Sequence, residues 1–534
     1  MGAVISGLVG AVKGVKSVIG VIRGLSADYN EVLARANKSP GLPVANPTVA
    51  FWQEDPPFPE LVDVRSAELP QTADIVIVGS GIAAAAIARS VLHESRRTGK
   101  PARRVVICEA RSLCSGATGR NGGHIKPSAH ESFARLCKRM SPQRAAELIR
   151  FQLRHLDTFV ELCRAEHIDI AECREVETAD FFLDDDDFSK AVGQVEELRK
   201  WVPEHDVSVL TAAEAREKFF VNEQVKGALA YKAGALWPYR FVTSIWNKLL
   251  SDFPKSLSLE TAMAVDGIEL GSAADFPYAV STSRGTIRAR HVVHATNGFA
   301  PHLVPGLRGK AIGILAQMSA QRPGRNFPDL DGRRSWSVIY GSGFDYATQR
   351  PTSPAGVPGH VLLGGGFSLG PKQGMENIAV YDDSKMGALA NAHNLGIMAA
   401  IFEPNWGPPP TDDQGGKNYV WSGIVAISAD AIPLVGKLDP RVVGRKVKPA
   451  RKTDSEHDDA AEWIAAAFVG DGMVWAWLSG TALGVMIMGS DEEELAAVPG
   501  RPGGKLYDWF PRELLPTYKR VKKMDLMDLA EEIM

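Results

Sequence analysis

Asp74-Ile75-Val76-Ile77-Val78-Gly79-Ser80-Gly81-Ile82-Ala83-Ala84 decides the reading of this chain. Ile75 to Val78 is an unbroken apolar, largely β-branched run, the composition of a central parallel strand covered on both faces. Gly79 permits a tight turn, Gly81 lets the backbone approach a pyrophosphate, and Ala84 stands where Gly or Ala allows a helix to pack closely on the strand. Ile82 and Ala83 open the helix, whose first amides and dipole favour phosphate. A second strand, Arg104 to Cys108, ends in Glu109, a carboxylate placed for the ribose hydroxyls of an adenosine. Glu109 follows Gly79 by thirty residues, against a usual spacing of ~20; the polar stretch His93 to Lys100 absorbs the excess. The alternative is a strand, turn and helix that bind no nucleotide. Strand, glycines, helix and acid occurring together favour a dinucleotide.

Composition narrows the class. A chain of 534 residues exceeds one ordinary core. With 45% hydrophobic and 23% charged residues it reads as soluble and globular. A net charge of −3 gives no pull toward nucleic acid. Five cysteines (Cys108, Cys114, Cys137, Cys163, Cys173) without a CxxC pair argue against a disulfide framework and for a reducing, cytoplasmic compartment. Twelve histidines form no HxxxH or Cys/His cluster, so no metal site is expected. Met1-Gly2-Ala3-Val4-Ile5-Ser6 fits N-myristoylation of Gly2. The apolar, Gly-rich stretch to Leu25 is broken by Lys13, Lys16 and Arg23, so it is neither a secretory signal nor a good membrane span. Peripheral membrane association through an acyl chain and a basic apolar segment is one expectation; a frayed leader, or a helix docked on the protein, is the other.

Along the chain, 1–25 is the leader and 26–72 a Pro-rich arm. Residues 73–140, 240–305 and 421–490 read as pieces of one discontinuous nucleotide domain, 141–239 and 306–420 as a second domain, and 491–534 as a tail. Apolar residues three and four apart mark helices in Arg144 to Leu153 and Phe159 to Cys163. Thr178 to Leu183, Lys226 to Tyr231 and Leu259 to Val265 read as strands. Tyr278 to Thr282 and Thr286 to Ala289 read as a hairpin, followed by a strand from His291. Phe241 to Leu250 reads as a helix, Met524 to Ala530 as an amphipathic one, and 437–460 as a charged solvated loop. A ligand is expected in the crevice between the domains.

Four motifs carry a resemblance: the first turn with Glu109; Ser115-Gly116-Ala117-Thr118-Gly119-Arg120-Asn121-Gly122-Gly123-His124; Val293-His294-Ala295-Thr296-Asn297-Gly298; and the pair Trp421-Ser422-Gly423 with Gly470-Asp471-Gly472-Met473. The chain resembles flavoproteins of the D-amino-acid oxidase and glycine/sarcosine oxidase superfamily, and within it the γ-glutamylputrescine-oxidase-like branch of fungi. The resemblance implies an α/β fold of two domains, a discontinuous Rossmann-type FAD-binding domain and a substrate domain built on a mixed or antiparallel sheet. It implies FAD held by Gly79, Gly81, Ile82, Ala83, Glu109, Thr118, Arg120, Asn121, Gly122, Gly123, Val265, Thr296, Gly298, Gly470, Asp471, Gly472 and Met473. It also implies a small-molecule substrate and oxidation of a C–N bond in an amine or amino acid, with O2 reduced to H2O2. Other readings are a tailoring oxidase acting on a C–C or C–O bond, or a membrane-attached flavoprotein that has lost catalysis. His124, where relatives carry Gln, is a general base, a flavin attachment point or a structural hydrogen-bonder. Tyr346 and Arg350 are expected at the substrate, Arg350 either clamping a carboxylate or pairing with an acid. Tyr231, Trp237 and Tyr239 line the pocket or fill the core. No oligomeric state follows from the sequence.

Overall fold

The computed structural model describes residues 28–99, 103–341, 343–410, 418–447 and 459–527. Gly2 and the leader therefore lie outside the described residues, as do 448–458 of the charged block and the end of the C-terminal amphipathic stretch.

Two sheets build the molecule, their strands numbered along the chain. The first holds β1 (Thr72–Val78), β2 (Val105–Cys108), β7 (Leu257–Glu260), β8 (Val265–Leu270), β9 (Tyr278–Thr282), β10 (Gly285–His294), β16 (Leu434–Lys437) and β17 (Ala461–Ala466). Its order is β16-β17-β10-β1-β2-β7, with β9 and β8 extending from β10. The ladder from β17 to β7 is parallel. The second sheet holds β3 (His124–Ile125), β4 (Arg174–Phe182), β5 (Val207–Thr211), β6 (Gly227–Ala235), β11 (Ala311–Gln321), β12 (Arg334–Tyr340), β13 (Gly343–Gln349), β14 (Val361–Gly364) and β15 (Tyr419–Ser428). Its order is β15-β11-β14-β13-β12-β4-β6-β3, with β5 also on β6; only β12 and β4 run parallel. The pattern is a parallel nucleotide-type sheet beside a mixed one, as the sequence implied.

Small residues set the packing of the first sheet. The helix Ile82–Thr98 lies against the wholly buried helix Ala476–Met488. A Cβ at Gly480 would come 2.6 Å from the Ala83 carbonyl oxygen, and one at Gly484 would run into Ser90. Gly480 and Gly484, one turn apart and facing an alanine-rich surface, let the two backbones approach closely.

Several expectations change. β3 and β15 were expected within 73–140 and 421–490 of the nucleotide domain. They belong to the second sheet, β15 pairing with β11 along its whole length. An apolar strand reads alike in either sheet, and only its partner decides. Leu259 to Val265 is not one strand: the chain turns after Glu260, with Ala262 at φ +49°, and divides into β7 and β8. The two helical stretches after Ser141 form one helix, Pro142–Ala165. The hairpin's second strand and the strand from His291 form a single β10, antiparallel to β9 at its start and parallel to β1 further on.

The Pro-rich arm is a strap. Arg111 Nη1 donates to the Val44 carbonyl at 3.3 Å, Arg120 Nη1 to Thr48 Oγ1 at 3.0 Å, and Gln53 Nε2 to the Gly119 carbonyl at 3.0 Å. The Trp52 indole donates to the Asn121 carbonyl. The arm thus closes over the back of the Gly-rich loop 116–123. Among the described residues, no helix is long and apolar enough to cross a membrane.

Candidate active site

The carboxyl ends of the parallel strands form the first part of the site. Gly79 has φ +106°, and a Cβ there would sit 2.6 Å from the Ala295 carbonyl oxygen, so only glycine fits between β1 and β10. Gly81 caps the helix Ile82–Thr98 without a side chain. The Ile82 amide donates to Thr118 Oγ1 at 2.9 Å, and the following amides of the first turn have no partner within the helix. Glu109 braces the turn: Oε2 accepts from Ser80 N (3.1 Å) and Ser80 Oγ (2.6 Å), and Oε1 from Arg111 N (3.0 Å). Oε2 thereby uses both of its lone pairs, and Oε1 keeps one for a further donor such as a ribose hydroxyl. Val265 starts β8 beside Met263, in the apolar cluster under these strand ends.

The Gly-rich loop has two halves with different duties. A Cβ at Gly116 would meet no atom within 4 Å, which leaves an open cradle in front of the helix N-terminus. Gly122 and Gly123 are instead jammed. A Cβ at Gly122 would come 2.5 Å from Tyr346 Cε2, and one at Gly123, at φ +66°, would strike the Leu236 carbonyl oxygen. Asn121 staples the loop, its Nδ2 donating to the carbonyls of Ala117 and Thr118 (both 3.1 Å) and its Oδ1 accepting from Gly123 N (2.7 Å).

Arg120 was expected to bring charge to the phosphates or the flavin edge. Its buried guanidinium is instead engaged by Asp383 (3.4 Å), the Ser115 carbonyl (2.9 Å), the Ser422 carbonyl (2.7 Å) and Thr48. Burial brings its pKa down to about 10. Arg120 therefore tethers the loop, the strap and β15, each of its three guanidinium nitrogens engaged by the protein.

After β10 ends at His294 the chain passes Thr296 to Asn297, and Asn297 (φ +48°) accepts from the amides of Ala467 (3.0 Å) and Phe468 (3.4 Å). That ties the strand end to the loop carrying Gly470, Asp471 and Gly472. Gly298 packs on Ile424, the nearest atom to a Cβ there at 3.2 Å. A Cβ at Gly470 would first meet Val425 at 3.5 Å and one at Gly472 only Phe468 at 4.0 Å, so this loop, like Gly116, has room before it. Met473 and Val474 follow in a short 3-10 turn that leads into the helix Ala476–Met488. An open glycine cradle, uncapped amides, a braced acid and a second glycine turn form a set that fits FAD, with Gly79 to Ala83, Glu109, Gly116 to Thr118 and Gly470 to Met473 able to hold it.

The inner face of the second sheet closes the space beyond that loop. His124, Tyr346 and Asp471 each keep part of their surface open where that loop meets the sheet. The His124 and Tyr346 rings lie 6.2 Å apart at 25°. His124 Nε2 is 2.9 Å from Ser335 Oγ, and burial, aided by the Lys126 charge, keeps the imidazole neutral. Tyr346 Oη donates to Met318 Sδ at 3.2 Å, and burial pushes its pKa up to about 12. Burial also raises Asp471 to about 6, and its carboxylate has no hydrogen bond or ion pair among the described residues.

Beside them is a buried polar network that sequence reasoning missed. Lys126 Nζ pairs with Asp180 and donates to Ser337 Oγ at 2.6 Å, and Tyr231 Oη donates to Asp180 Oδ2 at 2.7 Å. Burial alone would raise the Asp180 carboxyl; Lys126, His130 and Tyr231 outweigh it and hold it below its ordinary value. The available signal was an aspartate inside the apolar strand Thr178 to Phe182, a position that demands a partner.

Arg350 requires correction as a free clamp. Its Nη2 and Nε pair with Glu172 at 2.6 and 3.1 Å, and its guanidinium lies 4.3 Å from the Trp237 ring centroid. Trp237 and Tyr239 are core: the Trp237 indole donates to the Trp52 carbonyl at 2.9 Å, and both side chains are buried. Among the described residues, no group of three or more His, Cys, Asp or Glu side chains is arranged to hold a metal ion.

Comparison with known proteins agrees with this geometry. The fold is similar to that of glycine oxidase from Bacillus cereus ATCC 14579 (15% identity, TM-score 0.57, covering 79% of this chain and 97% of that one). It is similar to L-proline dehydrogenase from P. horikoshii (19%, 0.54, 83% and 98%). It is also similar to an L-amino acid deaminase from Proteus vulgaris lacking its specific insertion (18%, 0.55, 86% and 99%). No curated protein matches the sequence. Residues 74–484 match the model of the DAO family, FAD dependent oxidoreductase. With that match spanning most of the chain, and with the cradle, braced acid and second glycine turn in place, the protein belongs to the DAO family of FAD-dependent oxidoreductases.

Proposed function

We propose that this flavoenzyme oxidises a C–N bond in an amine or amino acid and passes the electrons to O2, giving H2O2. The observation that carries the reading is the group of partly exposed side chains formed by Asp471, on the loop that fits the cofactor, and by His124 and Tyr346 on the second sheet. When bound there, FAD supplies a two-electron acceptor for the substrate's hydride. The chain's own residues shape and desolvate the reacting space. Ser335 fixes the neutral His124, Gly122 lets Tyr346 approach the loop, and the Lys126–Asp180 pair presents a wall whose charges cancel. The uncapped end of the helix Ala476–Met488 places a positive dipole at the same loop, which favours negative charge developing there. The structural neighbours above are named for activities on amino acids, which agrees with this class.

The test is anaerobic bleaching of the purified yellow holoprotein, followed by peroxide release in air, across a panel of amines and amino acids. Bleaching and stoichiometric peroxide support the reading. Holoprotein inert to the whole panel refutes it.

A further inference from the structure

Arg120, Lys126 and Arg350 are each paired with an acid. Four lysines on one outer face are not. In the helix Tyr518–Lys523, Lys519, Lys522 and Lys523 stand three and four residues apart on the exposed side, while Val521 is buried. Lys437, exposed at the end of β16, faces them across a cleft. The cleft has a volume of about 560 Å³ and is lined by Lys437, Asp439, Arg441, Thr517, Tyr518 and Lys519. None of the four lysines makes an ion pair or hydrogen bond among the described residues. The acids beside them are engaged: Asp439 by Arg441 (2.7 and 2.9 Å) and Asp430 by Arg520 (2.7 Å). Asp525 is exposed and offsets one lysine. In a chain whose net charge is −3, such a face draws a polyanion.

The neighbouring segment selects which polyanion. Residues 28–36 are helical, and Leu33 and Ala36 pack in one apolar cluster with Val442, Val521, Met524 and Leu526. Tyr29 Oη reaches the sulfur of Met527, an exposed apolar side chain. Residues 1–27 therefore join the described chain beside the lysine face. Their sequence is apolar and Gly-rich, with Lys13, Lys16 and Arg23 and no acid. An acidic protein would use the lysines and leave the apolar residues unserved. An anionic bilayer serves both, its headgroups meeting the lysines and its acyl chains the apolar residues.

We propose that the face formed by Lys437, Lys519, Lys522 and Lys523, with the chain junction at Asp28 beside it, docks on an anionic lipid bilayer and takes a headgroup phosphate into the cleft. The proposal is independent of the reading under Proposed function. Each lysine held near such a surface strengthens binding about fivefold. Salt weakens it, since the Debye length shrinks from about 10 Å at 0.1 M to about 3 Å at 1 M. A single apolar attachment binds a bilayer only marginally and reversibly, so the lysines are the part that discriminates between lipids.

The experiment is cosedimentation of full-length holoprotein with vesicles of phosphatidylcholine alone, or of phosphatidylcholine with about a third phosphatidylserine, at about 0.1 M and about 1 M salt. Wild type should bind the anionic vesicles about 100-fold more tightly or better at the lower salt, and the preference should fall at the higher. The triple variant Lys519→Gln, Lys522→Gln and Lys523→Gln should lose about 100-fold while keeping its Tm and visible absorbance, because the three side chains are exposed. Lys437→Gln, on a different element, should lose about fivefold and decides the matter if the triple variant fails to fold. Lys138→Gln, Lys226→Gln and Lys255→Gln together, exposed lysines on other parts of the chain, should bind as wild type does. Wild type indifferent to phosphatidylserine, face variants that bind as wild type does, or a control that loses as much as the face triple each overturns the proposal. Wild type that binds polyglutamate but not the anionic vesicles also overturns it, and makes the face a site for an acidic protein.

Discussion

At the residue scale, two glycines of one loop differ in kind. Gly116 faces open space, whereas Gly123 is held at φ +66° with its missing Cβ directed at the Leu236 carbonyl. Gly123→Ala should therefore destabilise by about 2 kcal/mol or more and lower the FAD content of the purified protein, read as a fall in Tm and in visible absorbance per chain. Gly116→Ala should keep Tm and weaken FAD binding, since its methyl enters only the cradle. Asp471 makes an opposite prediction. Its folded pKa of about 6 lies above its ordinary 3.8, so ionising it opposes folding. That penalty is absent below about pH 4, grows as pH rises through 6 and is complete above it. Its ceiling is about 3 kcal/mol, which partial solvent contact reduces to about 1–2 kcal/mol. Asp471→Asn should raise Tm of the FAD-free protein at pH 8 and leave it unchanged at pH 4, by calorimetry at both values.

At the element scale, the contact between the helices Ile82–Thr98 and Ala476–Met488 links the two glycine turns proposed to hold the cofactor. The N-termini of both helices approach the cofactor site, one after Gly81 and one after Gly472, so their mutual spacing sets the distance between the two anion-seeking ends. Gly484→Val would force them apart against Ser90. Overpacking of this kind costs about 1–3 kcal/mol, and the expected outcome is a lower Tm together with weaker FAD retention on dialysis. A variant that loses stability but holds FAD as tightly as the wild type would show that the spacing does not set the site. The strap is the second such element. Trp52→Ala removes the indole hydrogen bond to Asn121 and the ring contacts with Phe51 and Trp237. It should loosen loop 116–123 and raise the FAD dissociation constant.

At the scale of the whole molecule, the candidate cofactor site is made by segments far apart in sequence: residues 79–83, 109, 116–118 and 470–473 converge only because β10 stands between β1 and β17. A ligand that binds the folded state alone stabilises it by mass action. Tm should thus climb with added FAD and fall when the flavin is stripped, by about 3 kcal/mol of stability at a hundredfold excess over the dissociation constant. An FAD-independent Tm would contradict the convergence.

The nucleotide half was legible because its signals are local. A β-branched run, glycines at fixed steps and an acid at the next strand's tip depend on backbone sterics and hydrogen bonding within a few residues of each other, and Gly79, Gly81 and Glu109 stand in the structure at the turn and strand tip where that reading put them. The polar roles were not legible. Whether Arg120 and Arg350 are free depends on which acid folding brings within reach, and Asp383 and Glu172 lie far along the chain from them. The assignment of β3 and β15 likewise rested on ladders between residues about a hundred positions apart. Periodicity and turn chemistry are properties of the chain itself. The freedom of a charge and the partner of a strand are properties of the packed molecule, since burial and long-range pairing exist only after the chain has closed on itself.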